Sequence, residues 1–82
     1  ADAISLSDSK THLLEIKTDN CKSIDILLDR YQTQLDYYAL CIMNSTNKSI
    51  DASLYSSHLD EIITINYPLN EMAKLKKIYQ LE

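Results

Sequence analysis

Asp2, Glu15 and Lys17 are the side chains whose types and spacing could do chemistry. The string "LLEIKTDN", residues 13–20, reads as a buried strand interrupted by an acid and a base. Side chains alternate along a strand, so Glu15 and Lys17 point to the same face. If the first two strands form a hairpin whose turn centres on Asp8 and Ser9, facing residues have numbers that sum to 17. Ser7 then faces Lys10, Ile4 faces Leu13 and Asp2 faces Glu15. Directly opposed residues on one face hold their Cβ atoms ~4.5–5.5 Å apart. Opposed carboxylates repel, burial raises the cost, and a proton or a metal ion relieves it. Hard oxygen ligands of this kind suit Mg²⁺ or Mn²⁺. Such an ion orients a water, lowers its pKa and offsets charge on a phosphate. A neighbouring lysine steadies the attacking water or the developing negative charge. The simpler reading of Glu15 and Lys17 is a solvated strand face with an ion pair worth ~0–1 kcal/mol.

The elements that must position these groups follow from periodicity. Residues 3–7 and 11–17 read as strands, with a turn of Asp and Ser between them. Ser23 is placed to cap a helix and Asp25 suits its first turn. Leu27, Leu28, Tyr31, Leu35, Tyr38, Ile42 and Met43 then recur every three or four residues, which predicts an amphipathic helix to about Met43. Tyr31, Leu35, Tyr38 and Ile42 are expected to be largely buried. Residues 49–57 and 61–67 read as strands, the second rich in β-branched residues. Pro68 stops it, and Asn70 is placed to cap a last helix with Met72, Leu75, Ile78 and Tyr79 on its apolar side. The order is β-β-α-β-β-α. The helix between the second and third strands permits a crossover, so the expected sheet is mixed.

Composition narrows the class. The chain has 82 residues, enough for one domain with a modest core. It is 45% hydrophobic, so it is not a disordered tail. No apolar run is long enough to span a membrane, and no signal peptide is recognisable. The net charge of −4 and the lack of a basic block argue against a purely electrostatic nucleic-acid binder, but not against an enzyme whose carboxylates hold cations. Cys21 and Cys41 form neither a CxxC pair nor a zinc set and read as two reduced thiols of a cytoplasmic, intracellular protein. There is no glycine, so the turns must rely on Asp, Asn and Ser.

Asp2, "EIKTD" and the helix string "QLDYY", in which Gln34, Leu35 and Tyr38 make a Q-L-x-x-Y pattern, together resemble the RecB-like group of PD-(D/E)XK nucleases. That group includes the nuclease domains of RecB and AddA-type recombination enzymes. Isoleucine stands here where tyrosine is common between the acid and the lysine, and Thr18 and Asp19 match the pattern. The resemblance covers most of the chain. It implies a restriction-endonuclease-like α/β core, with a mixed sheet flanked by helices, as a single nuclease-like domain over residues 1–82. It implies a Mg²⁺- or Mn²⁺-dependent deoxyribonuclease acting in DNA repair, recombination or defence. Asp2 resembles the metal-binding aspartate, Glu15 the second metal carboxylate, and the backbone carbonyl of Ile16 the further metal ligand. Lys17 resembles the catalytic lysine, and Gln34 and Tyr38 the residues that buttress the site and contact the nucleic-acid strand. The family pattern also places a helix carrying a His or Glu ligand ahead of the aspartate. These residues hold no such helix, so the expectation is a domain lacking its N-terminal helix, working within a larger polypeptide or beside a helicase. His12 and His58 are not expected as ligands. The alternative is a catalytically inactive interaction domain that keeps the nuclease fold.

Overall fold

In a computed structural model, residues 3–6 and 10–79 are described. Four strands lie across one sheet in sequence order: β1 (Ala3–Leu6), β2 (Lys10–Lys17), β3 (Ser49–Ser56) and β4 (Glu61–Tyr67). β1 pairs antiparallel with β2, β2 parallel with β3, and β3 antiparallel with β4. Helix α1 (Ile24–Thr46) is the crossover that the parallel pair requires. A 3-10 turn at Leu69–Glu71 leads into helix α2 (Met72–Ile78). The chain is therefore α/β with a mixed four-stranded sheet, as the periodicity predicts.

Alternation sets the two faces. In β2, Thr11, Leu13 and Glu15 are buried while His12 and Ile16 are exposed. In β3, Ile50, Ala52, Leu54 and Ser56 are all buried. α1 covers this face with Leu27, Leu35, Ala39, Leu40 and Met43. Leu13, Leu27, Leu35, Met43, Ile50 and Leu54 are each at most 1% exposed and form the centre of the core. The opposite face of the sheet is open, and Ile16 and Ile62 are exposed on it.

Local chemistry explains the ends of α1. Ser23 is extended and its Oγ accepts from the Ile26 N–H at 3.3 Å, as a capping serine should. Asp25 lies in the first turn, where the helix dipole favours an acid. The helix runs to Thr46, past the expected end near Met43. Asn47 closes it in the left-handed region, φ 57°, with its N–H donating to Met43 O. Asp60 takes the same conformation at φ 53° in the β3–β4 turn. Asn and Asp thus fill positions usually given to glycine, because their short polar side chains tolerate that conformation.

Of the four α1 residues expected to be largely buried, Leu35 is fully buried, and Tyr31, Tyr38 and Ile42 are mostly buried and pack against the core along the margins of the stripe. Two expectations for the last helix need correction. Asn70 does not cap the last helix. It lies inside the 3-10 turn that follows Pro68, and Glu71 holds the cap position without a side-chain cap bond. Met72 and Leu75 pack against the core, but Ile78 is exposed.

Tyr79 instead joins a polar cluster. The carboxyl of Asp36, on α1, accepts from the hydroxyls of Tyr67 and Tyr79 and from Gln32 Nε2 at 2.9 Å. This ties α1 to β4 and to the end of α2. Burial, and then donation to Asp36, push the Tyr67 hydroxyl far above its ordinary pKa of 10.0.

A raised tyrosine pKa means that the folded state keeps its proton after the unfolded chain has lost it. The Tyr67 contribution is therefore complete below pH ~10 and is lost as pH rises above it, at up to ~1.4 kcal/mol per pH unit. Urea denaturation from pH 9 to 11 should show this loss, and Tyr67→Phe should flatten the slope while lowering stability near neutrality by ~1–3 kcal/mol. An unchanged slope would contradict the assignment.

Candidate active site

β2 delivers Glu15 and Lys17 to the helix-covered face, near the carboxyl end of the parallel pair. In open α/β sheets this is where ligands bind. Glu15 pairs with Leu54 and Lys17 with Ser56 of β3. The Lys17 carbonyl accepts from Ser57 N at 3.0 Å and from Ser57 Oγ at 3.3 Å, so the β3–β4 turn fixes the end of the strand. Glu15 is only 4% exposed. Lys17 Nζ lies 3.7 Å from Glu15 Oε2, and the lysine side chain is 20% exposed. The pair is therefore not a solvated strand face.

α1 presents a stripe to this pair. Tyr31, Gln34 and Tyr38 stand three and seven residues apart, on one side of the helix. Gln34 Nε2 donates to the Tyr38 hydroxyl at 3.2 Å. That bond draws the Tyr38 hydroxyl below its ordinary pKa, while the charge of Glu15 acts in the opposite sense. Tyr38 thus lies within electrostatic reach of Glu15. Of the Q-L-x-x-Y residues, Gln34 and Tyr38 are joined by this bond, and Tyr38 feels the charge of Glu15.

A second group was not legible as part of a site. Lys17 Nζ sits 4.3 Å from the centroid of the Tyr31 ring, a cation–π distance. The Tyr31 hydroxyl donates to Asp19 Oδ2 at 2.7 Å, and Arg30 donates to the same oxygen at 2.8 Å. The Tyr31 bond, and then the Arg30 bond, hold the Asp19 carboxyl below its ordinary range. The Tyr31 hydroxyl is pushed up, chiefly because its proton is committed to Asp19. In the sequence Tyr31 reads as one more member of the apolar stripe, and only its seven-residue spacing from Tyr38 hints at this company.

The remaining candidates separate cleanly. Asp2 lies outside the described residues. The register summing to 17 is observed from Ala3↔Leu14 to Leu6↔Thr11. The Ile16 side chain is exposed on the open face, so only its backbone is beside the pair. His12 is exposed on that same face, 4.0 Å from Asp51, and His58 is exposed in the β3–β4 turn. Cys21 and Cys41 are free thiols. Two surface hollows lie elsewhere, one lined by Ile4, His12, Leu14 and Ile62, the other by Leu40, Cys41, Asn44 and Lys76. Among the described residues no three His, Cys, Asp or Glu side chains converge to hold a metal, and no helix is long and apolar enough to cross a membrane. A buried carboxylate flanked by a backbone carbonyl is still the donor chemistry that Mg²⁺ or Mn²⁺ takes. The described residues supply one carboxylate of such a set.

No family model matches the chain, and no curated protein or solved structure proves significantly similar to it.

The Tyr38 assignment is open to direct measurement. Gln34→Ala removes the donor that favours the phenolate, so the Tyr38 pKa should rise. ¹³C-tyrosine NMR titration reads this residue by residue, and a Tyr38 value that stays fixed or falls would contradict the Gln34–Tyr38 bond.

Proposed function

We propose that this chain is a metal-dependent deoxyribonuclease domain of the RecB-like type, with a restriction-endonuclease-like core. The observation that carries the reading is the burial of Glu15. A carboxylate in the covered face of a sheet costs free energy unless it is paired, and Lys17 is the cation beside it. An acid and a lysine two residues apart, near the carboxyl end of a parallel pair and backed by Gln34 and Tyr38, fit phosphodiester hydrolysis.

In this reading Asp2, Glu15 and the Ile16 carbonyl would hold Mg²⁺ or Mn²⁺. Such an ion, when bound, would supply a polarised water and offset charge on the phosphate. Lys17 donates a proton of its ammonium, as a hydrogen bond, to the attacking oxygen or to the developing phosphorane charge. Gln34 donates to the Tyr38 hydroxyl and so orients Tyr38 beside the site. The substrate is DNA. The biological setting is repair, recombination or defence, within a larger polypeptide or beside a helicase.

Labelled DNA, incubated with the full-length polypeptide in Mg²⁺ or Mn²⁺, should be cut, and EDTA should stop it. Lys17→Ala should leave folding nearly intact and lower cleavage by a factor of ~10²–10³, the cost of losing one electrostatic contact to the transition state. Glu15→Ala should lose activity through metal affinity, so excess Mn²⁺ should restore part of it without restoring Lys17→Ala. Cleavage that survives both EDTA and Lys17→Ala would overturn the assignment. Correct folding with no metal-dependent cleavage would favour the inactive interaction domain.

A further inference from the structure

We propose that Tyr31 is a positioning residue that aims the Lys17 ammonium, and that Asp19 fixes the Tyr31 ring in place. The inference rests on the reading of Lys17 as the catalytic lysine, and it adds Tyr31, which neither "EIKTD" nor Q-L-x-x-Y contains, and a task for Asp19.

The need for such a device follows from distance. Lys17 Nζ is 3.7 Å from Glu15 Oε2, longer than the ~2.7–2.9 Å of a tight charge-assisted hydrogen bond. A lysine is a point charge on a flexible four-carbon stem, so a loose contact with one carboxylate does not define where it points. The Tyr31 ring, 4.3 Å away, supplies a second surface. An ammonium over the face of an aromatic ring is attracted to its negative quadrupole, yet its N–H bonds away from the ring stay free to donate. A second carboxylate would hold the lysine as well but would compete with the phosphate for those donors. A ring does not.

The ring is itself held. Its hydroxyl donates to Asp19 Oδ2 at 2.7 Å, and Arg30 donates to the same oxygen at 2.8 Å. Asp19 stands two residues after Lys17 in the loop leaving β2, whereas Arg30 and Tyr31 are neighbours on α1. The contacts therefore close a circuit from strand to loop to helix and back to the strand. Donation to a carboxylate also enriches the phenol ring in electron density, which strengthens its hold on a cation. Asp19 keeps its charge to well below neutral pH, and Tyr31 keeps its proton to well above it. The circuit is thus intact across the range in which a nuclease works.

Two variants divide the ring from its anchor. Tyr31→Leu keeps apolar bulk and removes the π face. Tyr31→Phe keeps the face and removes the tie to Asp19. In proton NMR of the chain, the Lys17 ε-methylene should be shifted upfield by the Tyr31 ring, should return to its ordinary position in Tyr31→Leu, and should remain partly shifted in Tyr31→Phe. In the full-length polypeptide, Tyr31→Leu should lower kcat for Mg²⁺-dependent DNA cleavage by ten- to a hundredfold with KM for DNA nearly constant, and Tyr31→Phe by less than tenfold. Tyr31→Leu added to Lys17→Ala should cost nothing more, because the two act through one contact. An unshifted Lys17 methylene in the wild type overturns the proposal whatever the enzyme does. A shifted methylene with full cleavage by Tyr31→Leu overturns the positioning role and leaves the nuclease reading standing. Equal cleavage by Lys17→Ala and wild type overturns the nuclease reading, and the positioning role with it. If Tyr31→Leu fails to fold, Tyr31→Phe and the wild-type spectrum decide the matter.

Discussion

Glu15 sits under a helix, on the covered face of a sheet, with a lysine as its neighbour. Removing a carboxylate from water is among the costlier things a small domain can do, and the cost is offset only when charge and hydrogen-bonding groups are held close to it. The pair cannot lie at random depth. It stands near the carboxyl end of β2, where the layer of Leu13, Leu54 and Leu35 gives way to polar side chains and the loop toward α1 begins. The crossover helix must then bring polar groups to that spot and apolar groups to the rest of the sheet. α1 does both, with Tyr31, Gln34 and Tyr38 on one stripe and Leu27, Leu35, Ala39 and Met43 on the next.

Sliding a helix by one residue turns its side chains by ~100°, so the stripe serves the acid only if α1 cannot rotate. Two aspartates hold it. Asp19, in the loop, receives Arg30 and Tyr31 near the start of the helix. Asp36, on the helix, receives Tyr67 from β4 and Tyr79 beyond α2. Apolar packing would tolerate small rotations, because leucines and methionine repack at modest cost. Directional bonds at two heights tolerate much less. Tyr37 lies against Tyr79, centroids 4.8 Å apart, and extends the second anchor. The short chain therefore uses polar networks to obtain precision that its modest core alone would not provide.

Much of this was legible in the sequence because it is periodic or local. Alternation in β2 placed Glu15 and Lys17 on one face, and the turn residues gave a register that holds from Ala3 to Leu6. Ser23 announced the start of α1, and the crossover gave the parallel pair. The burial of Glu15 was not legible, because alternation assigns a face without saying which face is covered. Nor was either aspartate anchor. Asp36 meets Tyr67 and Tyr79 across 31 and 43 residues, and no local spacing encodes such a meeting. Asn70 looked like a cap because it follows Pro68, but the proline set up a 3-10 turn that takes Asn70 inside it. Ile78 looked inward by helical period, yet it lies on the far side of Leu75 from Met72 and Tyr79, and it is exposed.

The central claim is that Glu15 helps to hold a divalent metal ion, beside the Lys17 ammonium, for phosphodiester chemistry. A crystal of the protein soaked in Mn²⁺, with anomalous data, tests it most directly. The account predicts an anomalous peak within ~2.3 Å of a Glu15 carboxylate oxygen, shared with Asp2 and the Ile16 carbonyl and adjacent to Lys17 Nζ. A peak only at other carboxylates, such as Asp51 on the open face, or none at Glu15 under saturating Mn²⁺, would contradict it.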